Sequence, residues 1–121
     1  MIDAAMTPTE IAAAFSHHEF DRTYEHLTED VSWLHVGGDQ EVGKAAVVAA
    51  CTRSAQDLAG MTTTFTAFRT LDAGDAVVVV STADYVQGDE RSTVSSCDVY
   101  DFAGGKLAAI TSFEVEVEVE V

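Results

Sequence analysis

The chain has 121 residues, 47% of them apolar and only one of them proline, and this fits one compact domain around a single core. Six basic and 21 acidic residues give a net charge of −15, which repels phosphate backbones and anionic lipids, so neither nucleic acid nor membrane is expected as a partner. Apolar runs such as residues 76–80 are far shorter than the roughly 20 residues of a membrane-spanning helix, and the first residues lead us to expect no secretion signal. We therefore expect a soluble cytoplasmic protein in which Cys51 and Cys97 remain thiols and serve packing.

The first predicted element is a helix that starts at Pro8. Thr7 is the expected N-cap, and Glu10 is placed to close a capping box with it. Asp21 is expected to cap a second, shorter helical segment that points Tyr24 and Leu27 inward. The chain therefore opens with two helical pieces separated by a break near residues 18–21.

The remaining elements are one strand, one helix and then strands only. Residues 31–36 form a predicted strand that ends at Gly37-Gly38, and residues 43–59 form a predicted helix with Gly60 at its C-cap. From Met61 onward β-branched and aromatic residues dominate, which indicates strands joined by short turns. The predicted strands are residues 61–68, 76–86, 92–102 and 107–121. This order predicts an α+β domain with a largely antiparallel sheet and its helices on one face.

Three short segments carry a family resemblance: EDVSW at 29–33, VGK at 42–44 and SCDVYDFAGGKL at 96–107. With the order of elements, they resemble the nuclear transport factor 2-like superfamily, and most of all its SnoaL-like branch, which is related to polyketide cyclases and ketosteroid isomerase. The resemblance implies that residues 1–121 are one SnoaL-like domain with a cystatin-like, cone-shaped fold. In that fold a curved, mostly antiparallel sheet wraps around N-terminal helices, and the open end admits a small apolar molecule.

The resemblance to ketosteroid isomerase implies catalytic roles for two residues. His35 occupies the position of that enzyme's general base, an aspartate, and an unperturbed imidazole can exchange a proton near neutral pH. Asp98 matches the aspartic acid that stays protonated there and donates a hydrogen bond to the developing oxyanion. The first helix lacks the isomerase's oxyanion-hole tyrosine, and Tyr100, which shares the strand parity of Asp98, is a better substitute than Tyr85.

Side chains alternate between the two faces of a strand, so parity predicts the rest of the pocket. The sets that share a face are Ser96 with Asp98 and Tyr100, Trp33 with His35, Ile110 with Ser112 and Glu114, and Val80 with Thr82 and Asp84. The predicted substrate contacts are Phe15, Trp33, Thr82, Asp84, Ser96, Tyr100, Ile110 and Ser112.

Two functions of different classes remain open. One is a cofactor-independent enzyme that transfers a proton on a small hydrophobic carbonyl compound, as an isomerase, cyclase or dehydratase does, with His35 as base or acid and Asp98 as hydrogen-bond donor or partner. The other is a non-catalytic dimer that binds a small apolar ligand or only supports assembly, with His35 and Asp98 bonded to each other. A direct bond between the two would favour the second function, whereas separate positions around an open cavity would favour the first.

His17, His18 and Asp21 suggest a metal site at first sight. Consecutive helical residues point about 100° apart, so only His17 and Asp21 share a face, and two ligands do not make a site. No metal is expected.

The chain ends in a strict alternation of valine and glutamate from Glu114 to Val121. Such a strand has one apolar and one charged face, and an uncovered valine row would invite aggregation. Many members of the superfamily are homodimers, often with their convex sheet faces packed back to back. We therefore expect a homodimer that buries Val115 and Val117 on the convex face of the sheet.

Overall fold

The computed structural model describes residues 5–117, which form an α+β domain with a six-stranded sheet. The helices are α1 (Pro8–Ser16), a 3₁₀ helix (Phe20–His26) and α2 (Lys44–Ala59). The strands are β1 (Leu27–His35), β2 (Gln40–Val42), β3 (Thr62–Asp72), β4 (Ala76–Gln87), β5 (Glu90–Ala103) and β6 (Lys106–Val117). The predicted order of helices and long strands is confirmed.

The sheet has the order β2-β1-β6-β5-β4-β3 and does not close on itself. All neighbouring strands run antiparallel except β1 and β6, which pair in parallel because the chain crosses the whole sheet between them. Register shifts between Phe65 and Ala67 and between Asp101 and Phe102 mark irregularities of the kind that bend strands. The resulting curvature makes one face concave, and the predicted mostly antiparallel cone is confirmed.

Helix α1 packs against the concave face and supplies much of the core. Its start is as predicted, since the Thr7 hydroxyl accepts from the Glu10 amide while the Glu10 carboxylate accepts from the Thr7 amide. Ile11 and Phe15 point inward and are almost fully buried. Phe15 contacts Trp33 edge-on, with ring centroids 5.0 Å apart. The N-terminal helix is therefore anchored to the first strand.

The sequence patterns missed two local features. The second helical segment is a 3₁₀ helix with Glu19, not Asp21, at its N-cap, and Leu27 begins strand β1 instead of ending the helix. Gly37-Gly38 does not simply end a strand, because it turns the chain into the three-residue strand β2, which pairs with β1. A strand this short has no periodicity to detect.

The outer, convex face of the sheet carries several large apolar side chains. Cys97 on β5 pairs with Val80 of β4 on one side and with Phe113 of β6 on the other. Val80 is 42% exposed and Phe113 is 45% exposed. Val115 is 65% exposed and Val117 is 39% exposed on the same face. The predicted continuation of this valine row through residues 118–121 lies outside the described residues.

Neither described cysteine forms a disulfide. Cys51 lies in the core, where burial raises the pKa of its thiol to about 12, whereas Cys97 is only partly buried on the outer face. Within residues 5–117 no helix is both long and apolar enough to cross a membrane.

Candidate functional site

A cavity of about 270 Å³ opens between the concave face of the sheet and the helices. Four strands contribute walls, namely β1, β4, β5 and β6, and Phe65 of β3 completes the sheet side. The end of α1, the start of the 3₁₀ helix and the C-terminal half of α2 enclose the other side. Its volume is just under the range of about 300–1,000 Å³ common for small-molecule sites, so a ligand of one or two rings would fit.

Asp98 is the centre of a hydrogen-bond network in this cavity. The Ser16 hydroxyl donates to its Oδ2 at 3.2 Å, and Ser112, its partner across the sheet, also donates to it. The Tyr100 and Ser16 hydroxyls are 2.5 Å apart, and the Trp33 indole N–H donates to Ser112 at 2.9 Å. Each serine hydroxyl has one proton, which it donates to Asp98, so it accepts from its other neighbour. Tyr100 therefore donates to Ser16, Trp33 donates to Ser112, and both serines donate to the carboxyl group.

Burial raises the pKa of Asp98 above its usual value, because taking a carboxylate out of water disfavours its charge. The Ser112 and Ser16 hydroxyls act in the opposite direction, and the negative charge of Glu114 adds to the rise. Burial, followed by the charge of Asp98, also raises the pKa of the Tyr100 phenol. Because Ser16 gives its proton to Asp98, the phenol is the donor in its bond with Ser16. The charge of His35 also acts against the rise, but the net direction is upward, so Asp98 takes up a proton more readily than an exposed aspartate does.

His35 lies at the end of β1, where the hairpin holds its backbone in place. Its amide donates to the Asp39 carbonyl at 2.9 Å, and its carbonyl accepts from the Gly38 amide at 2.8 Å. Its ring packs beside Trp33, with centroids 4.4 Å apart, and lines the same cavity as Asp98. Ser112 on β6 pairs with His35 of β1 on one side and with Asp98 of β5 on the other. The backbones of His35 and Asp98 are therefore two strand spacings apart, roughly 10 Å. Within residues 5–117 no hydrogen bond joins the two side chains.

Most of the predicted pocket residues line this cavity, but three do not. Phe15, Trp33, Ser96, Tyr100 and Ser112 line it. Ile110 shares their face but is buried in the core without lining the cavity.

Thr82 and Asp84 were assigned to the wrong face of β4. The Thr82 hydroxyl bonds the Ser95 hydroxyl and the Asp84 carboxylate binds Arg91, all on the outer face, while Ser81 and Tyr85 face the cavity. The run of four valines at 77–80 has no polar alternation, so the sequence could not reveal which parity points inward.

The sequence did not predict several residues that line the cavity. His18 and Tyr85 form a hydrogen bond of 3.0 Å there, although parity had made Tyr85 the weaker candidate. Ser16 and three residues of α2, Ser54, Asp57 and Leu58, also reach it. The available signal was helical spacing, because His18 follows the apolar residues Ile11, Ala14 and Phe15 at intervals of seven, four and three.

The charged groups that line the cavity are acidic. Asp57, Asp98 and Glu114 belong to the wall, whereas no lysine or arginine lines it within the described part of the chain. The cavity therefore disfavours anionic ligands.

No group of three or more metal-ligating side chains is placed to hold an ion among residues 5–117. His17 and His18 point in different directions, because the His17 ring stacks on Phe68 at 3.7 Å and His18 faces the cavity. The polar side chains that line the cavity are the carboxyl groups, the rings of His18 and His35, and the serine and tyrosine hydroxyl groups.

The sequence profile of the SnoaL-like domain matches residues 9–110, which is most of the chain. This chain belongs to the SnoaL-like family. A comparison of this SnoaL-like protein with curated protein sequences gave no match.

Several solved structures share the fold of this SnoaL-like protein. An NTF2-like protein of unknown function from Cytophaga hutchinsonii is 24% identical over 87% of this chain and 93% of its own, with a TM-score of 0.77. A Shewanella denitrificans protein described as a SnoaL-like polyketide cyclase is 13% identical over 87% and 85%, with a TM-score of 0.68. An LEH-like epoxide hydrolase from M. tuberculosis is 19% identical over 90% and 84%, with a TM-score of 0.64.

Proposed function

We propose that the cavity binds a small, neutral, apolar carbonyl compound and that His35 and Asp98 transfer a proton on it, in a reaction of the isomerase, cyclase or dehydratase type. The observation that carries this proposal is that buried Asp98 and His35 line one cavity and that, within residues 5–117, no hydrogen bond joins their side chains; burial also raises the pKa of Asp98. A carboxyl group kept protonated can donate to a developing oxyanion, while a nearby base accepts the proton from carbon.

The reaction begins at the carbon next to the ligand's carbonyl group. A ring nitrogen of His35 takes a proton from that carbon, and the electron pair of the C–H bond moves to the carbonyl oxygen to form an enolate. The Asp98 O–H donates a hydrogen bond to that oxygen. The enolate then re-forms its carbonyl. If a conjugated double bond is present, the electron pair moves along it to a second carbon, which takes the imidazolium proton and gives an isomer. If the neighbouring carbon carries a hydroxyl group, a C=C bond forms, the C–O bond breaks, and the hydroxyl leaves with the imidazolium proton as water.

The separation of the two groups supports this division of roles. Their backbones are roughly 10 Å apart across a concave sheet, so both side chains can reach a ligand between them without bonding each other. Phe15 of α1 and Trp33 of β1, whose rings contact each other, supply apolar surface to the cavity. The structures described as a polyketide cyclase and an epoxide hydrolase show that this fold accommodates different chemistries, and their likeness extends only to the fold.

Proton transfer can be tested before the natural substrate is known. In D₂O the protein should speed exchange of the protons next to the carbonyl of 1-tetralone, a two-ring ketone, followed by ¹H NMR. His35→Ala should lower the exchange rate by about a hundredfold or more, the usual contribution of a general base. Asp98→Asn should also lower it, because the amide is a weaker donor to an enolate oxygen.

Matched controls for the exchange test are His17→Ala and Asp101→Asn. His17 is exposed outside the cavity, and Asp101 is exposed on the strand that carries Asp98. Both control variants should exchange the ketone as the natural protein does. Exchange at the natural rate in His35→Ala and in Asp98→Asn would reject the catalytic proposal.

A second candidate function is a non-catalytic ligand-binding or assembly dimer. Asp98 already accepts hydrogen bonds from Ser16 and Ser112, as a purely structural carboxyl would. The exposed apolar row of Phe113, Val115 and Val117 suits a second copy of the chain, and we propose a homodimer through this outer face for either function. Binding of 1-tetralone without accelerated exchange would favour the non-catalytic function.

A further inference from the structure

We propose that His18 and Tyr85 form a second polar contact of the cavity, which donates a hydrogen bond to an oxygen of the ligand that is not the reacting carbonyl. This inference rests on the proposed function and narrows its substrate class to apolar carbonyl compounds that carry a second oxygen function. The pair plays no part in the proton transfer assigned to His35 and Asp98.

The backbone at His18 adopts a conformation in which glycine is usual. Helix α1 ends in a Schellman motif, with the Glu19 amide bonded to the Ala14 carbonyl at 2.9 Å and the His18 amide bonded to the Phe15 carbonyl at 3.0 Å. His18 occupies the left-handed position of this motif, with φ +67°, and is the only non-glycine residue with positive φ between residues 5 and 117. Because the strained backbone of His18 places its imidazole ring in the cavity, we infer that the ring has a role there.

After the hydrogen bond between His18 and Tyr85 has formed, the pair still has one unused hydrogen-bond donor. The bond joins His18 Nε2 and the Tyr85 hydroxyl at 3.0 Å, and no other hydrogen bond of either side chain is present in the described part of the chain. If the phenol donates, the imidazole keeps an N–H at Nδ1, and if the imidazole donates, the phenol keeps its O–H. Either tautomer therefore has one N–H or O–H to offer to an acceptor.

The surroundings of the pair suit a neutral donor in an apolar wall. The rings of Phe20 and Phe65 lie 5.7 Å and 5.6 Å from the His18 ring. Burial, followed by the charge of His17, lowers the pKa of His18, so its ring stays neutral at neutral pH. Burial and the charges of Glu114 and Asp98 raise the pKa of Tyr85, so the phenol keeps its proton. A neutral pair of this kind binds a ketone, ether or hydroxyl oxygen.

The pair lies close enough to the proposed reaction site for one small ligand to reach both. His18 is two residues beyond Ser16, whose hydroxyl bonds Asp98, and all of these residues line one cavity of about 270 Å³. The ligand we infer therefore has its carbonyl at Asp98 and a second oxygen on the far side of a one- or two-ring apolar body.

The test compares 1-tetralone with its hydroxylated relatives by isothermal titration calorimetry. The hydroxyl group is placed in turn at ring carbons 5, 6 and 7, so that its position is scanned across the cavity. At least one isomer should bind about tenfold more tightly than 1-tetralone, which corresponds to one additional hydrogen bond. Trp33, the chain's single tryptophan, lines the cavity and gives an independent fluorescence signal.

Two variants remove the pair, and one leaves it in place. Tyr85→Phe keeps the ring but loses the hydroxyl, and His18→Asn keeps a residue that tolerates positive φ but is too short to bond Tyr85. Each single variant should reduce the ratio of the two affinities, because the remaining donor loses the partner that orients it, and the double variant should bring that ratio close to one. Tyr24→Phe, which removes a phenol that does not line the cavity, should keep the preference.

The possible failures can be told apart. If tetralones bind and exchange but no hydroxylated isomer is preferred, the second contact is wrong and the proposed function stands. A preference for the hydroxylated ketone that survives in the double variant Tyr85→Phe/His18→Asn would also overturn the second contact. If no tetralone binds at all, the proposed function fails and this inference fails with it.

Discussion

Replacing Tyr100 by phenylalanine tests the hydrogen-bond network beneath the site. Tyr100 is only 1% exposed, and its hydroxyl donates to Ser16, which is also buried. Without it, the buried Ser16 oxygen loses a hydrogen-bond donor, which costs roughly 1–3 kcal/mol. For a domain of this size each kcal/mol lowers the melting temperature by about 4 °C, so Tyr100→Phe should unfold about 8 °C earlier in a thermal scan.

A double-mutant cycle isolates the contact between the two hydroxyls. Ser16→Ala removes the partner of Tyr100 and one donor to Asp98, so it should destabilise the protein on its own. The double variant should lose about 1 kcal/mol less than the sum of the two single changes, because the broken bond is then counted once. Tyr24→Phe, which removes a phenol that bonds Thr52 at a partly exposed position, is the control and should destabilise the protein less than Tyr100→Phe. Full additivity, or a Tyr100→Phe variant as stable as the natural protein, would refute the network.

The charges and the exposed face lead to three further predictions. Because the pKa of Asp98 is raised on folding, the natural protein should lose stability as pH rises from about 4 until Asp98 ionises. The melting temperature of Asp98→Asn should not show this loss. If the melting temperatures of the two proteins fell in parallel with rising pH, the raised pKa of Asp98 would be contradicted. The acidic cavity should bind 2-aminotetralin, a cation, more tightly than the anion tetralin-2-carboxylate, and calorimetry showing the reverse order would exclude this electrostatic argument. The natural chain should sediment as a dimer at micromolar concentration and Val117→Glu as a monomer, so a natural monomer would rule out the proposed interface.

How much of the site could be predicted depended on how locally each feature is encoded. The capping box at Thr7 and Glu10 joins neighbours three residues apart, so the helix start was predictable to the residue. The resemblance around residues 96–107 and 30–35 was enough to assign Asp98 and His35 to the concave face from the sequence alone, and both line the cavity. The assignment of Thr82 and Asp84 failed because strand β4 is buried on one face and apolar on both at residues 77–80.

The sequence by itself determined the order of the helices and long strands, the acidic character and the alternating pattern of the last strand, because periodicity, composition and capping depend on residues close together in the chain. The tertiary structure alone decided which side chains meet. Ser16 and Asp98 are 82 positions apart, and His18 and Tyr85 are 67 apart, so their hydrogen bonds exist only once α1 lies across a curved sheet of fixed register. A one-residue change of register would turn Tyr85 outward and Asp84 inward, and no local pattern in a run of valines specifies that choice.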